Sequence, residues 1–361
     1  MTKHRTHTIS FLLALILFSV FTNCGSGSVS LSAQRGAVQE ILDANGLSEL
    51  YEVDDVVGIR DKRITSLHFG NKGLKVLPGS SLEKLKHLAS LYAENNNLSE
   101  IPQEIGLLED LVRLDLSRNK VITLPGEIGN LLKLSELNLS GNKLESLPEE
   151  IGNLTRLMKI EINDNKLKTI PGSIHRWENI TRLNLTSNKL SELPEEIRKM
   201  QHIDGLFLGG NNFTQFPEVI CDIPNIQRLN VAENELESFP QCIQNLNNLV
   251  HFVVGANKFA AFPEEILNVS SLKSLSITHS ELRKIPSEIS KLAELNLLHL
   301  NNNNLKNLPS SLFTLPIYRI SVDNQRGLYI DENSICNFSD ITGKLLDDFC
   351  DTRWRGTQIC E

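Results

Sequence analysis

Leu111-Val112-Arg113-Leu114-Asp115-Leu116-Ser117-Arg118-Asn119-Lys120-Val121-Ile122-Thr123-Leu124-Pro125 is the stretch whose reading decides the fold. Leu114 and Leu116 alternate with Arg113, Asp115 and Ser117. That alternation sends the leucines into a core and their neighbours to solvent, as in a half-buried strand. The pattern returns 23 residues on as Leu134, Leu137, Leu139, Asn142, Leu144, Leu147 and Pro148.

The prolines extend the ruler in both directions. Pro102, Pro125, Pro148, Pro171, Pro194, Pro217, Pro240, Pro263, Pro286 and Pro309 recur every 23 residues, and Pro78 precedes them by 24. Only Pro224 and Pro316 stand outside the series. A period of this length marks a stack of supersecondary units, none of which can bury its apolar face alone. Copies related by translation place their strands parallel, each paired to its neighbours. The series starts at Ile64, its last full copy starts at Leu295, and a partial copy at Ile317, Ile320 and Val322 follows one residue early. After each proline a second apolar pair, such as Ile128 with Leu131 or Ile151 with Leu154, covers the opposite side of the coil. A proline in every copy excludes a long helix there, so the return side is expected to be extended or a short 3₁₀ turn.

These blocks resemble the leucine-rich repeat family in its 23-residue bacterial form, and the whole chain resembles exported leucine-rich repeat lipoproteins. The resemblance covers residues 61–316, about 11 copies. It implies an α/β-type repeat solenoid: a horseshoe with a parallel β-sheet on the concave face, short 3₁₀ or extended segments on the convex side, and helical caps at both ends. It also implies protein–protein interaction. It transfers no catalytic residue, because the repeat motif is structural.

The asparagine series Asn96, Asn119, Asn142, Asn165, Asn188, Asn211, Asn234, Asn257 and Asn303 has a structural explanation. A side-chain amide turned inward at the strand end satisfies backbone groups of a buried turn, and stacked copies form a ladder. Lys72 and Ser280 take this position in two copies. Solvent is expected to replace the bond at Lys72, near the end of the stack, and Ser280 marks a looser interior turn. The glycosylation-like triplets Asn138-Leu139-Ser140 and Asn184-Leu185-Thr186 are by-products of the same periodicity.

The amino terminus reads as an export signal. Lys3 and Arg5 precede an unbroken apolar run from Phe11 to Phe21, too short to span a bilayer but suited to a secretory signal. Phe21-Thr22-Asn23-Cys24 resembles a bacterial lipobox, although Phe21 and Asn23 depart from its usual residues. On that reading residues 1–24 form a lipoprotein signal and Cys24 is acylated, giving membrane attachment without a spanning helix. The other reading is an ordinary cleaved signal. Residues 25–31 form a Gly/Ser tether.

A solenoid exposes its core at both ends, so terminal units must differ. Residues 32–60 read as the amino-terminal cap, with Ala37, Val38, Ile41 and Leu42 at helical spacing, an Asn45-Gly46 stop, and edge-strand residues Val53, Val56, Val57 and Ile59. Residues 317–361 hold the partial repeat and the carboxy-terminal cap, with a helix over 334–349. In an exported protein a disulfide is expected there, for which Cys336–Cys360 is the preferred pair of the three cysteines that include Cys350. Zinc is the rival, without a CxxC pair to support it. Cys221 and Cys242 are either core fillers or a pair when oxidised.

Composition narrows the function. The net charge of −8, with acids and bases interspersed, lacks the basic excess of a nucleic-acid binder. No HExxH, GxSxG, GxxxxGKS or GxGxxG pattern occurs. Neither an enzyme, nor a cofactor, nor a metal is expected. Glu149-Glu150, Glu195-Glu196 and Glu264-Glu265 read as a solvated convex face.

Function is expected on the concave face, in the non-leucine strand positions. From Arg113 to Arg182 these form a checkerboard of charge; from Gly205 to Leu297 they are more apolar. Phe207, Arg228, His251, Val253 and His299 are the candidate contact residues, with Phe207 set between Gly205 and Gly209. The chain is thus read as a monomeric envelope or secreted protein that binds a protein partner and, less so, a glycan. The alternatives are a passive envelope scaffold and a hydrolase in the carboxy-terminal segment.

Overall fold

In each three-residue strand the middle residue points inward, as alternation demands, and its neighbours are at least partly exposed except at Gly205 and Gly327. The computed structural model describes residues 29–317, 327–330, 332–333 and 335. Helix α1 (Leu31–Ala44) starts the described chain, N-capped by Ser30 and burying Ala37, Val38, Ile41 and Leu42. An antiparallel hairpin follows, β1 (Val57–Arg60) and β2 (Arg63–His68). Then come the parallel strands β3 (Ser90–Tyr92), β4 (Arg113–Asp115), β5 (Glu136–Asn138), β6 (Lys159–Glu161), β7 (Arg182–Asn184) and β8 (Gly205–Phe207). The series ends with β9 (Arg228–Asn230), β10 (His251–Val253), β11 (Ser274–Ser276), β12 (Leu297–His299) and β13 (Gly327–Tyr329). All 13 lie in chain order in one open sheet.

Stacking builds the core in columns. Leu91, Leu114 and Leu137 stand in register on adjacent strands. In one coil Leu111, Leu114, Leu116, Val121, Leu124, Ile128 and Leu131 are all buried. Each such side chain contributes about 1.5–3 kcal/mol on burial, and a coil collects that energy only from its two neighbours.

On the convex side a 3₁₀ turn follows each proline, from Gln103–Leu107 to Ser310–Thr314. The Pro102 carbonyl accepts from the Ile105 N–H at 3.0 Å, and Pro125 accepts from Ile128 at 3.1 Å. Proline suits the position because only its carbonyl is needed and its φ is preset. The first copy differs, with a short helix α2 (Gly79–Leu82) after Pro78.

The asparagine ladder is more than local capping. Asn119 Nδ2 donates to Leu116 O at 3.0 Å in its own turn and to Ala93 O at 2.8 Å in the preceding coil. Its Oδ1 accepts from Leu98 N–H of that preceding coil at 2.9 Å. Each asparagine therefore fastens two coils. The residue before it is left-handed throughout, including Arg118, Asp164, Ser187 and Ala256. The two departures share a second left-handed residue, Gly73 after Lys72 and Glu281 after Ser280. Lys72 is not simply left to solvent: its Nζ lies 3.7 Å from the centre of the Tyr51 ring.

At the far end, the strand that pairs with β12 is Gly327–Tyr329, with Leu298 opposite Leu328. That is a step of 30 residues where the period gives 23. Leu328, Ile330, Asn333 and Ile335 fill the motif positions, and Asn333 donates to Leu300 O at 2.9 Å and accepts from Leu305 N–H at 3.1 Å. The expected strand at Ile320 and Val322, the cysteines Cys336, Cys350 and Cys360 and, apart from Ile335, the helix over 334–349 lie outside the described residues, as do residues 1–28 with Cys24. Cys221 and Cys242 are disulfide-bonded, their Cα atoms 5.8 Å apart.

Candidate binding surface

The concave face consists of two rows of side chains fixed by the parallel register. One row runs Arg182, Gly205, Arg228, His251, Ser274, Leu297, Gly327; the other runs Asn184, Phe207, Asn230, Val253, Ser276, His299, Tyr329. The five candidate residues share this face: Arg228 and His251 are neighbours in the first row, and Phe207, Val253 and His299 occupy alternate strands of the second.

Their environments differ. Phe207 is half-buried because its ring lies over Gly205, where a Cβ would come within 3.1 Å of Cε2. Arg228 is held by Asp204 at 3.3 Å, a carboxylate that also faces Arg182 at 3.9 Å. His251 is exposed, and burial of part of its ring, with the cations Arg228 and Lys273 nearby, holds its pKa below the usual imidazole value. His299 stacks on Tyr329 with ring centres 4.4 Å apart and planes at 4°, and its burial also lowers its pKa. A matching stack stands at the amino-terminal end, His68 on Tyr92 at 5.2 Å, with His68 Nε2 2.9 Å from Ser66 Oγ.

The charged zone is organised otherwise. Arg113 pairs with Glu136 at 3.0 Å. A shallow hollow of about 80 Å³ is lined there by Tyr92, Arg113, Asp115, Glu136, Asn138, Lys159 and Glu161. Several polar residues of the second row also close the strand. Asp115 accepts from Ser117 N–H at 2.9 Å, Asn184 from Thr186 N–H at 3.1 Å, and Asn230 from Ala232 N–H at 2.9 Å. Tyr329 is the surface residue that sequence reasoning missed. Its signal was the Leu328-x-Ile330-x-x-Asn333 spacing, out of step with the proline ruler.

Among the described residues no group of three or more His, Cys, Asp or Glu is placed to hold a metal ion. No described helix is long and apolar enough to cross a membrane.

A leucine rich repeat family model matches residues 132–190, 155–213 and 178–236. No curated protein matches the chain. Among solved structures, the chain is similar to the leucine-rich repeat ectodomain of the Arabidopsis thaliana membrane receptor kinase GASSHO1/SCHENGEN3 in complex with Casparian strip integrity factor 2. That match has 25% identity and a TM-score of 0.59, covering 77% of this chain and 40% of the other. A second is the plant peptide hormone receptor RGFR1 in complex with RGF2, at 26% identity and TM-score 0.53, covering 81% of this chain and 49% of that one. A Leptospira interrogans leucine-rich repeat protein aligns at 27% identity and TM-score 0.42, over 79% of this chain and 94% of its own. The chain thus spans less than half the length of the two plant receptors.

Proposed function

We propose that this chain, a leucine-rich repeat protein, is an exported binding protein of the bacterial envelope that captures a protein partner on its concave face. The observation that carries the reading is the run from β8 to β13. There the checkerboard of charge gives way to Phe207, Val253, Leu297, His299 and Tyr329, half-buried on one face. Aromatic side chains already ordered by Gly205 and by ring stacking lose little freedom when a partner covers them, which is the character of interface anchors. Two of the similar solved structures are receptors in complex with a named factor, which favours a protein or peptide ligand over a glycan. The signal-like amino terminus supports export, with Cys24 as the acylated residue and the protein acting as a monomer. The passive-scaffold reading lacks a comparable feature.

Photo-crosslinking tests this directly. A crosslinker at Ser276, beside Val253 on the concave face, should capture a discrete protein in the native envelope, and one at convex Glu150 should not. The combined Phe207→Ser, Arg228→Ala and Val253→Ser variant should lose that product. Equal products from both faces, or capture unchanged by the triple variant, would favour the scaffold.

A further inference from the structure

Charged columns on this solenoid neutralise themselves from coil to coil. Arg113 pairs with Glu136 at 3.0 Å, Lys168 with Glu145 at 3.2 Å and Lys258 with Glu235 at 2.9 Å, each partner standing 23 residues from the other. The column that holds Glu235 and Lys258 lacks such pairs in its earlier coils. The residue after the ladder asparagine is lysine in four consecutive coils, Lys120, Lys143, Lys166 and Lys189. All four are exposed, and among the described residues none has a carboxylate within 4.0 Å.

Their backbones are locked in step. The N–H groups of Lys120, Lys143, Lys166 and Lys189 donate to Leu98, Val121, Leu144 and Leu167 carbonyls of the preceding coils at 2.8–2.9 Å. With coils about 4.8 Å apart, the four backbone positions that carry these lysines stand in single file over about 15 Å. Like charges on neighbouring coils repel one another, the more so at low salt. Glu145, beside the row, is engaged by Lys168. No carboxylate of the described residues, Asp164 in the flanking column included, lies within 4.0 Å of these amines, so an external anion can supply the counter-charge.

We propose that this edge is a docking strip for a linear anionic polysaccharide, separate from the concave face. A single file of evenly spaced cations fits an extended chain carrying one charge per unit. The flanking columns, Arg118, Gly141, Asp164 and Ser187 on one side and Ile122, Glu145, Lys168 and Ser191 on the other, contain no aromatic ring on which a nucleobase could stack. Ile122 alone is not the apolar face that insertion into a bilayer surface requires.

The test measures the full chain on immobilised heparin and on immobilised alginate across rising salt. The wild type should bind, more weakly as salt rises. Each single Lys→Gln change in the row should weaken binding about five-fold, and the quadruple change should abolish it. Lys→Arg at all four positions should restore binding, which separates lost charge from lost fold. Removing equal charge elsewhere, at Lys62, Lys86, Lys291 and Lys306, should change affinity by no more than about two-fold. The Phe207, Arg228 and Val253 triple variant should bind both polysaccharides normally, whatever its effect on protein capture. Absence of wild-type binding to both polysaccharides overturns the proposal. So does an equal loss in the control variant, or tighter binding to single-stranded oligothymidylate or to phosphatidylglycerol vesicles.

Discussion

Cys221 and Cys242 are joined across adjacent coils at a separation of 21 residues, the same offset that brings Gly106 against Glu127. A Cβ at Gly106 would lie 2.6 Å from the Glu127 carbonyl oxygen, and Gly129 meets Glu150 in the same way. The convex turns thus touch two positions out of register. Glycine makes that contact in early coils, and a covalent bond makes it at Cys221.

Breaking the bridge should loosen the stack locally. Closing a loop of this length restrains the unfolded chain by about 3 kcal/mol. Urea denaturation of the oxidised chain should therefore show a higher midpoint than the same chain under thiol reductant or the Cys221→Ala/Cys242→Ala variant. Alkylation without reductant should leave both sulfurs unlabelled. Labelling of both in freshly isolated native protein would contradict the bridge.

The glycine contacts predict a contrast within one column. Gly129→Ala forces a methyl into the backbone of the next coil, an overpacking that costs about 1–3 kcal/mol. Arg198 occupies the equivalent position in a later coil and is exposed. Arg198→Ala should change stability by no more than about 0.5 kcal/mol. Thermal melts of the two variants check this, and equal shifts would mean that the early coils are not closely seated.

Ser280 leaves one rung of the ladder incomplete. The N–H groups of Leu236 and Leu282 reach Asn257 and Asn303 Oδ1 at 2.9 and 3.1 Å. For Phe259 N–H, between them in the series, no such bond exists among the described residues. Ser280→Asn should supply it and raise stability by about 1 kcal/mol, provided Glu281 leaves its left-handed conformation. Adding Glu281→Gly tests that proviso: it should help the serine parent and do nothing for the asparagine variant. A destabilised Ser280→Asn protein would show that the serine turn is fitted to its surroundings.

The period, the inward leucines and the 3₁₀ return were legible because each depends on residue type at fixed spacing. Three things were not. The left-handed residue before each asparagine carries no residue signature, since Arg118, Ser187, Glu233 and Ala256 all fill it and the ladder bonds hold it in place. The offset joining Cys221 to Cys242 reflects how coils lean, which one coil's sequence does not encode. The strand Gly327–Tyr329 that pairs with β12 was not foreseen, because its step is longer than the period and no proline marks it. On the surface, the shared face of Phe207, Val253 and His299 followed from alternation, but the ring of Phe207 lying on Gly205 and the stacking of His299 on Tyr329 required coordinates.

That last stack gives the surface a pH dependence with a definite sign. Burial disfavours the charged imidazolium of His299, so the folded chain takes up that proton less readily than the unfolded chain. The stabilisation is complete above the ordinary imidazole value of about 6.5 and is lost as pH falls from there through the lowered value of the folded state. His251 acts in the same direction, through burial first and then Arg228 and Lys273. The wild type should therefore lose stability on mild acidification through this window, and His299→Gln should lose less. Denaturation midpoints measured at steps from about pH 7.5 to 5 check the difference, since 6.5 falls inside that span. NMR titration of the imidazole carbons should place His299 below an unfolded reference peptide. Parallel pH profiles for the two proteins, or a His299 titration at or above the reference, would remove burial against Tyr329 as the cause.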